Sequence, residues 1–255
     1  MTPAKYTRSP DGTRIAYDAI GRGEPLVLLH GGFIQDRRSW WTAGYVERLQ
    51  QQFRLLIVDL RGHGESDHPT SKEAYAADKV CADVMAAMDA EAIEFAPVWG
   101  YSYGAGVALQ MVLASDRVQR MALGGAALGH WLTAEQADKS ATGMRSLAQA
   151  RRAGAADQLP PEHRDFARRA DLDSAPAIFE AMSSWPAVEP RDLSCPALFY
   201  AGSHNALGAG QIRTHQDALK RAGARWLILD GLDHLGEFNA LDRSLPPCVE
   251  FLRAR

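Results

Sequence analysis

The feature that most constrains the fold of this chain is an alternation between short apolar runs and longer segments with helical periodicity. Runs rich in Val, Ile and Leu are typical of strands that are covered on both faces. The first half contains a hairpin-like strand at 13–20 and apolar runs at 25–30, 53–60, 94–101 and 118–128. The pattern predicts an α/β fold, with a mostly parallel sheet flanked by helices on both sides.

The alternation stops between residues 129 and 186, where the sequence is helical and polar and has no strand-like run. It resumes with apolar runs at 195–202 and 224–231, followed by a final helix. An insertion of roughly 55 residues inside one sheet is typical of a small lid rather than a separate domain. We therefore expect a core formed by residues 1–128 and 187–255, with a helical cap at 129–186.

The composition excludes several classes of function. With 255 residues, 46% of them apolar and 23% charged, the chain can form one large core. A net charge of −3, with Lys and Arg scattered, gives no basic face for nucleic acid or an anionic membrane. We see no apolar stretch typical of a signal peptide or a membrane span, and three widely spaced cysteines favour buried thiols over a metal site. We expect a cytoplasmic protein without a metal.

The pentapeptide GYSYG places Ser102 between two glycines, after an apolar run and before a helical one. The G-x-S-x-G pattern alone is moderately specific, because a serine in an ordinary turn gives the same letters. A sharp strand-to-helix turn strains the serine backbone and tolerates no bulk two residues away on either side. Gly100 and Gly104 meet that need, and we expect Gly106 to let the helix pack close to the sheet. The context favours Ser102 as a nucleophile.

A glycine pair follows the apolar run at 25–30, in the sequence LLHGGF. Glycines at this position allow the backbone amides to turn toward a neighbouring loop. The amide of Gly32, or that of Phe33, would then join the amide of Tyr103 in binding a developing oxyanion.

Four motifs now occur in one order: HGG at 30–32, DLRGHGES at 59–66, GYSYG at 100–104 and LDHLGEF at 232–238. In order and spacing they resemble the α/β-hydrolase superfamily. More narrowly, the chain resembles the small-cap esterases, lactonases and carbon–carbon bond hydrolases of that group. The resemblance covers nearly the whole chain and is weakest at 129–186.

This resemblance implies an eight-stranded, mainly parallel sheet. It also implies that Ser102 is the nucleophile, that His234 is the base and that the Gly32 and Tyr103 amides bind the oxyanion. The charged residues of the motif at 59–66 are mainly structural in the family. Independently of the family, His234 follows the last apolar run, at the sheet edge where parallel sheets carry active sites. A lone loop histidine is usually only exposed, so the upstream serine motif carries much of this assignment.

The third member of the expected catalytic triad departs from the family pattern. In the resembling enzymes an Asp or Glu follows the penultimate strand, and this chain has Asn205 there. The other position used in the superfamily, after the strand that precedes the cap, has no acid before Glu135. An amide in place of the acid lowers turnover about 10⁴-fold in a serine protease, because a dipole stabilises an imidazolium less than a full charge does.

Three explanations remain open at this point. Another carboxylate substitutes, the nearest to His234 in sequence being Asp230, Asp233 and Glu237, of which we expect Asp233 to point elsewhere. Alternatively, a Ser–His pair acts on a reactive substrate, with the Asn205 carbonyl orienting the ring. The third explanation is an inactivating change. We favour a working site with a weak or substituted third member.

Aromatic residues of the cap and of the segment after the glycine pair are the candidates for substrate binding. Most apolar residues at helical spacing pack within a lid, but some should face Ser102 and form an apolar pocket. The candidates are Trp40, Trp131, Phe179 and Trp185.

The hypothesis from sequence is a cofactor-independent serine hydrolase that cleaves an apolar carboxylic ester or lactone through an acyl-enzyme. Its partner is this small molecule, not nucleic acid or a membrane, and nothing in the sequence isolates an oligomer interface. The alternatives are an impaired, ligand-binding pseudo-hydrolase and a lyase or carbon–carbon bond hydrolase on the same scaffold.

Overall fold

A computed structural model describes residues 3–254. Met1, Thr2 and Arg255, at the ends of the predicted core, lie outside the described residues. The strands are β1 (Lys5–Arg8), β2 (Arg14–Gly21), β3 (Glu24–Leu29), β4 (Phe53–Val58), β5 (Ala96–Tyr101), β6 (Val118–Gly124), β7 (Ala197–Gly202) and β8 (Arg225–Leu229).

These strands form one eight-stranded sheet in the order β1-β2-β4-β3-β5-β6-β7-β8. β1 pairs antiparallel with β2, and β2 pairs antiparallel with β4. All pairs among β3 to β8 are parallel. The mainly parallel, eight-stranded sheet that the family resemblance implied is therefore confirmed. Its parallel half brings the carboxyl ends of β3, β5, β6, β7 and β8 to one edge, where the candidate site lies.

The helices are α1 (Arg38–Thr42), α2 (Tyr45–Leu49), α3 (Ala77–Ala90), α4 (Tyr103–Ala114), α5 (Ala134–Arg152), α6 (Pro161–Arg169), α7 (Ala175–Met182), α8 (Ala206–Arg221), α9 (His234–Asn239) and α10 (Leu241–Arg253). The sequence pattern suggests one helix over 38–51, but the structure has two, because Gly44 adopts a φ of +84° between them. The sequence pattern also suggests a second helix capped by Ser71. In the structure, Ser71 precedes a short 3₁₀ turn, and α3 begins only after Ala76, whose ψ of 147° is not helical.

The sheet has an apolar layer on each face. Along β3, Val27 and Leu29 belong to one buried cluster, whereas Leu26 and Leu28 belong to the other. Successive strand residues point to opposite faces, so both faces must be covered for such a continuous apolar run to be stable. Helices α3 and α4 contribute to the first cluster, and α2 and α10 to the second.

Residues 129–186 lie between β6 and β7 in the chain and contain α5, α6 and α7. Gly129 and Val188 form an isolated antiparallel bridge where this helical segment leaves and rejoins the rest. Its assignment as a helical cap stays a prediction. Within residues 3–254, no helix is both long enough and apolar enough to cross a bilayer.

Candidate active site

Ser102 lies in the tight turn between β5 and α4, with φ 49° and ψ −118°. A Cβ atom on Gly100 would lie 2.5 Å from the Gly104 carbonyl oxygen, and one on Gly104 would lie 2.4 Å from the Leu29 carbonyl oxygen. Both obstacles are backbone atoms, so the turn requires glycine at both positions. Gly106 acts differently from the expectation: a Cβ there would lie 3.1 Å from the Trp131 ring, so this glycine makes room for the helical segment rather than the sheet.

The structure brings His234 to Ser102, although 132 residues separate them in sequence. The distance between His234 Nε2 and Ser102 Oγ is 2.9 Å. Tyr101 supports the imidazole on one face, with ring centroids 5.2 Å apart and planes inclined by 22°. The Tyr101 hydroxyl also donates a hydrogen bond to the His234 carbonyl oxygen. Tyr101 thus contacts both the ring and the main chain of His234.

Asn205 follows β7 and caps the N-terminus of α8. Its Oδ1 accepts a hydrogen bond of 3.0 Å from the Gly208 amide. The side-chain NH₂ group is therefore the end that faces His234, with Nδ2 2.9 Å from Nδ1. The expectation that the Asn205 carbonyl orients the imidazole is wrong, because that oxygen already serves the cap.

Glu237 is the carboxylate that approaches His234, with 3.2 Å between Glu237 Oε1 and His234 Nδ1. Its side chain has no exposed surface. Oε2 accepts a hydrogen bond of 2.5 Å from the Gly202 amide, and both oxygens lie 3.1 Å from Asn205 Nδ2. Of the three carboxylates near His234 in sequence, this is the one that reaches the ring.

The other two carboxylates have different contacts. Asp233 caps α9 by accepting a hydrogen bond of 2.7 Å from the Gly236 amide. Asp230 is exposed and accepts a hydrogen bond of 3.3 Å from the Ser203 hydroxyl. The sequence does contain a signal for Glu237. Asp233 is a favoured helix cap, and a helix that begins at the next residue places His234 and Glu237, three residues apart, on one face.

Gly125, directly after β6, provides the space for this pair. A Cβ atom on Gly125 would lie 2.5 Å from Glu237 Oε1 and 2.6 Å from His234 Cε1. Its φ of +59° also favours glycine. The position after β6, which lacks an acid in the sequence, is thus occupied by the side chains that arrive from α9.

The expected oxyanion donors lie in two backbone turns that are joined to each other. The Gly104 amide donates a hydrogen bond of 3.0 Å to the His30 carbonyl oxygen. A Cβ atom on Gly32 would lie 3.4 Å from Tyr103 Cβ, so the two expected donor residues are adjacent. Within residues 3–254, the amides of Gly32 and Tyr103 are not among the paired backbone donors.

Phe33 is not available as the alternative donor. Its amide donates a hydrogen bond of 2.9 Å to His63 Nε2. Burial lowers the pKa of His63 to about 3, which keeps the ring neutral and leaves this nitrogen free to accept. Burial also lowers the pKa of His30, to about 4, and its Nε2 accepts a hydrogen bond of 3.0 Å from the Leu60 amide. His63 thus holds the loop that carries Gly32 and Phe33, and His30 joins its start to Leu60.

A cavity of about 360 Å³ opens beside Ser102 and His234. The helical segment 129–186 contributes Trp131, Leu132, Phe166, Phe179 and Met182 to its walls. Phe179 stacks on Phe33, with ring centroids 4.6 Å apart. Among the residues that the structure describes, those lining the cavity include no Lys, Arg, Asp or Glu.

Two of the four expected substrate-binding residues, Trp131 and Phe179, line this cavity, and two do not. Trp40 has no exposed surface and packs edge-on against Trp99 and Phe238 in the apolar layer on the other face of the sheet. Trp185 is 4% exposed and donates its indole N–H to the Tyr75 carbonyl oxygen. Both expectations were wrong, because these rings complete the core.

No group of three or more His, Cys, Asp or Glu side chains in the described part of the chain is arranged to hold a metal ion. Charged residues of the motif at 59–66 form internal ion pairs. Arg61 pairs with the buried carboxylate of Asp83, and Asp59 pairs with Arg37. These contacts agree with a structural role for the motif.

Comparison with known proteins gives partial matches by sequence and full-length matches by structure. A stretch of 105 residues, 40% of this chain, is 35% identical to "Epoxide hydrolase 4" of Mus musculus and spans 29% of that protein. The chain therefore matches less than a third of the length of this curated relative.

Two solved structures match nearly the whole chain. The enol-lactonase from Burkholderia xenovorans LB400 has a TM-score of 0.76 and 25% identity, covering 98% of this chain and 100% of the other. An esterase from Exiguobacterium antarcticum has a TM-score of 0.79 and 19% identity, covering 99% and 100%. At this identity the esterase shows the fold alone.

The family model described as "alpha/beta hydrolase fold" matches residues 25–176, more than half of the 255 residues. The match includes the glycine pair, the motif at 59–66 and the turn that carries Ser102. The sheet order and the turn at Ser102 are consistent with this match. The chain therefore belongs to the alpha/beta hydrolase fold family.

Proposed function

We propose that this protein is a serine hydrolase that cleaves a carboxylic ester or lactone of a neutral, apolar substrate through an acyl-enzyme. The observation that carries the proposal is the 2.9 Å contact between His234 Nε2 and Ser102 Oγ at the wall of an apolar cavity. A serine hydroxyl is a weak nucleophile until a base within hydrogen-bonding distance takes its proton.

The proposed reaction has two halves. As Ser102 Oγ attacks the substrate carbonyl, its proton moves to His234 Nε2, and the Gly32 and Tyr103 amides stabilise the oxyanion. The intermediate collapses, and His234 gives the proton to the leaving alkoxide; in a lactone the new hydroxyl stays attached to the acyl group. Water then attacks the acyl-enzyme while His234 takes its proton, and the carboxylic acid leaves as Ser102 Oγ recovers that proton.

The cavity supports a neutral substrate. Its walls offer no Lys, Arg, Asp or Glu among the described residues, so a charged acyl group would lose its hydration without gaining a partner. A volume of about 360 Å³ lies at the small end of the usual range for ligand pockets. The helical segment 129–186 supplies much of the apolar wall, and we propose that it serves as the cap.

The chemistry of Ser102 favours an acyl group over an epoxide, although one relative is named an epoxide hydrolase. A serine oxygen that opened an epoxide would form an ether, and an ether has no carbonyl for water to attack. An acyl ester has one, so the Ser–His pair can complete the cycle. The name of the enol-lactonase, which is 25% identical to this chain, supports the same class.

The alternatives from sequence are less well supported. The pseudo-hydrolase hypothesis rested on the absent charge at Asn205, and a carboxylate now lies 3.2 Å from His234 Nδ1. No specific observation favours a lyase or a carbon–carbon bond hydrolase, and product analysis distinguishes both from ester hydrolysis.

The test uses nitrophenyl esters of short and medium acyl chains with the full-length protein. We expect a burst of nitrophenol that is stoichiometric with enzyme, and a fluorophosphonate adduct that peptide mass spectrometry locates at Ser102. Ser102→Ala should remove the burst and the adduct and lower hydrolysis by at least about 10³-fold. Ser146→Ala, on the exposed surface of α5, is the matched control and should behave as the wild type. A wild type that is neither acylated nor labelled would contradict the proposal.

A further inference from the structure

Glu237 is a fully buried carboxylate with an unusual set of partners. An ionised carboxylate in such a place is costly unless hydrogen-bond donors surround it. The Gly202 amide and the Asn205 side-chain NH₂ are both donors, at 2.5 Å and 3.1 Å. Neither the amide of Gly202 nor the NH₂ of Asn205 can accept a hydrogen bond from a protonated carboxyl group. The neighbours of Glu237 are therefore hydrogen-bond donors that match the two acceptor oxygens of a carboxylate.

The orientation of Asn205 determines which atom His234 can use. The Gly208 amide occupies Asn205 Oδ1, so the NH₂ group faces the imidazole. For Nε2 to accept the Ser102 proton, the neutral imidazole must carry its own proton on Nδ1. An Nδ1–H cannot bond to an NH₂ group, and Glu237 Oε1 is the acceptor within reach, at 3.2 Å.

The opposite tautomer is disfavoured by the same carboxylate. If Nδ1 accepted a hydrogen bond from Asn205 Nδ2, its lone pair would lie beside the negative charge of Glu237, and Nε2 would be protonated and unable to act as a base. A carboxylate at this distance stabilises Nδ1–H and, after proton transfer, the imidazolium.

We infer that Glu237, three residues after the base on α9, supplies the negative charge of the triad, and that Asn205 is a positioning residue for its carboxylate. The inference rests on the proposed function. The negative charge then comes from α9, the same helix that carries His234. The position after β7 holds Asn205, whose NH₂ group donates hydrogen bonds to the Glu237 carboxylate. Gly125 after β6 keeps the space that both side chains need.

The geometry suggests an experiment in which the charge is exchanged between the two positions. In Glu237→Gln the negative charge is lost, and in Asn205→Asp a second carboxylate is added 3.1 Å from the first. In the double variant Asn205→Asp/Glu237→Gln, the aspartate still caps α8, the glutamine oxygen accepts from the Gly202 amide and its NH₂ donates to the aspartate. The carboxylate is then at position 205 and the amide at position 237, the reverse of the wild type.

We expect Glu237→Gln to lower kcat on a nitrophenyl ester about 10³- to 10⁴-fold, with KM changed less than about threefold. Asn205→Asp alone should be no more active than the wild type, because two adjacent carboxylates disfavour each other's charge. The double variant should recover at least about tenfold over Glu237→Gln, a non-additivity that a merely structural role would not produce. Asp230→Asn, an exposed neighbouring carboxylate, is the matched control and should retain wild-type kcat.

Thermal melts and the rate of fluorophosphonate labelling at Ser102 accompany each variant, so that unfolding is recognised. A folded Glu237→Gln within about threefold of wild-type kcat would overturn the inference. So would a gain of about 10²-fold in Asn205→Asp, or a folded double variant no better than Glu237→Gln. In those cases the wild type remains an active serine hydrolase, whereas a wild type without acylation or labelling removes the proposed function itself.

Discussion

The two sides of the candidate site are held in place by different means. Ser102 is fixed by the backbone of one short turn, in which Gly100 and Gly104 leave no space for a side chain. His234 is fixed by side chains that arrive from three elements, with Glu237 from its own helix, Asn205 from the start of α8 and Tyr101 from β5. A side chain that obstructs the turn should therefore lower the stability of the fold. One that displaces His234 should chiefly lower the rate of hydrolysis.

Gly104→Ala obstructs the turn that holds Ser102 and should have the largest effect on the free energy of unfolding. The new Cβ would lie 2.4 Å from the Leu29 carbonyl oxygen and 2.6 Å from that of His30, and neither backbone atom can move aside alone. We expect the free energy of unfolding to fall by about 2–3 kcal/mol, which corresponds to a Tm lower by about 5–10 °C. Displacement of Ser102 should lower kcat/KM about 10²-fold. Thermal melts and ester hydrolysis measure both changes.

Gly143→Ala is the control for this change. Gly143 is exposed within α5, and a Cβ there meets nothing within 4 Å. Alanine should raise the free energy of unfolding by up to about 1 kcal/mol, because it favours the helix, and should leave hydrolysis unchanged. A Gly104→Ala protein as stable and active as the wild type would show that the turn can relax.

Gly125→Ala tests the second side. The new Cβ would meet Glu237 Oε1 at 2.5 Å and His234 Nδ1 at 2.9 Å, and these side chains can rotate away. We expect kcat to fall about 10²-fold, since a displacement of 1 Å has that effect on a reacting group. The strain of a positive φ should lower the free energy of unfolding by only about 1–2 kcal/mol.

Gly223→Ala separates these two causes. Gly223 has a similar φ of +70°, but a Cβ there meets nothing within 4 Å. It should lose about as much stability as Gly125→Ala, about 1–2 kcal/mol, and keep full activity. Equal losses of activity in both variants would mean that backbone strain, not displacement of His234 and Glu237, is responsible.

The difference between the two sides also explains how much the sequence predicts. The turn at Ser102 is local, so its glycines and flanking apolar runs predict it from one continuous stretch. The partner of His234 depends on where α9 begins, and a loop was expected there. Without that helix, the sequence argues against Asp233 alone, and nothing in it chooses between Asp230 and Glu237.

The apolar residues show the same limit. Continuous apolar runs predict strands buried on both faces, and the sheet has them. The same apolar character does not distinguish Trp131, which lines the cavity, from Trp40, which lies in the core behind the sheet. Which face a tryptophan occupies depends on helix orientation, and periodicity over a few residues does not fix it. The helices also break at Gly44 and Ala76, and the apolar pattern along a helix does not reveal the backbone angles of one residue.

The smallest expected effect concerns the partly exposed contact between His68 and Asp171. His68 Nδ1 lies 2.5 Å from Asp171 Oδ2, just before α7, and His68 Nε2 lies 3.2 Å from the Gly64 carbonyl oxygen. Both ring nitrogens thus face acceptors, which suits a protonated ring. The hydrogen bond with Asp171 raises the pKa of His68. Burial alone would raise the pKa of Asp171, but the hydrogen bonds from His68, Ser174 and Asp173, together with the charge of His68, outweigh it, so this pKa is lowered.

The signs of these shifts give the pH range in which the pair is stabilising. Because the pKa of His68 is raised on folding, its contribution is complete below the unfolded value near 6.5 and is lost as pH rises through the folded value. The lowered pKa of Asp171 gives a contribution that is complete above about 4 and is lost in acid. His68→Gln should therefore lower Tm by about 1–3 °C at pH 5.5, as expected for a partly exposed pair, and by almost nothing at pH 9. The double variant His68→Gln/Asp171→Asn should lose no more than either single variant. A loss of Tm that is the same at both pH values would show that the contact between this loop and the helical segment is one of packing and not of charge.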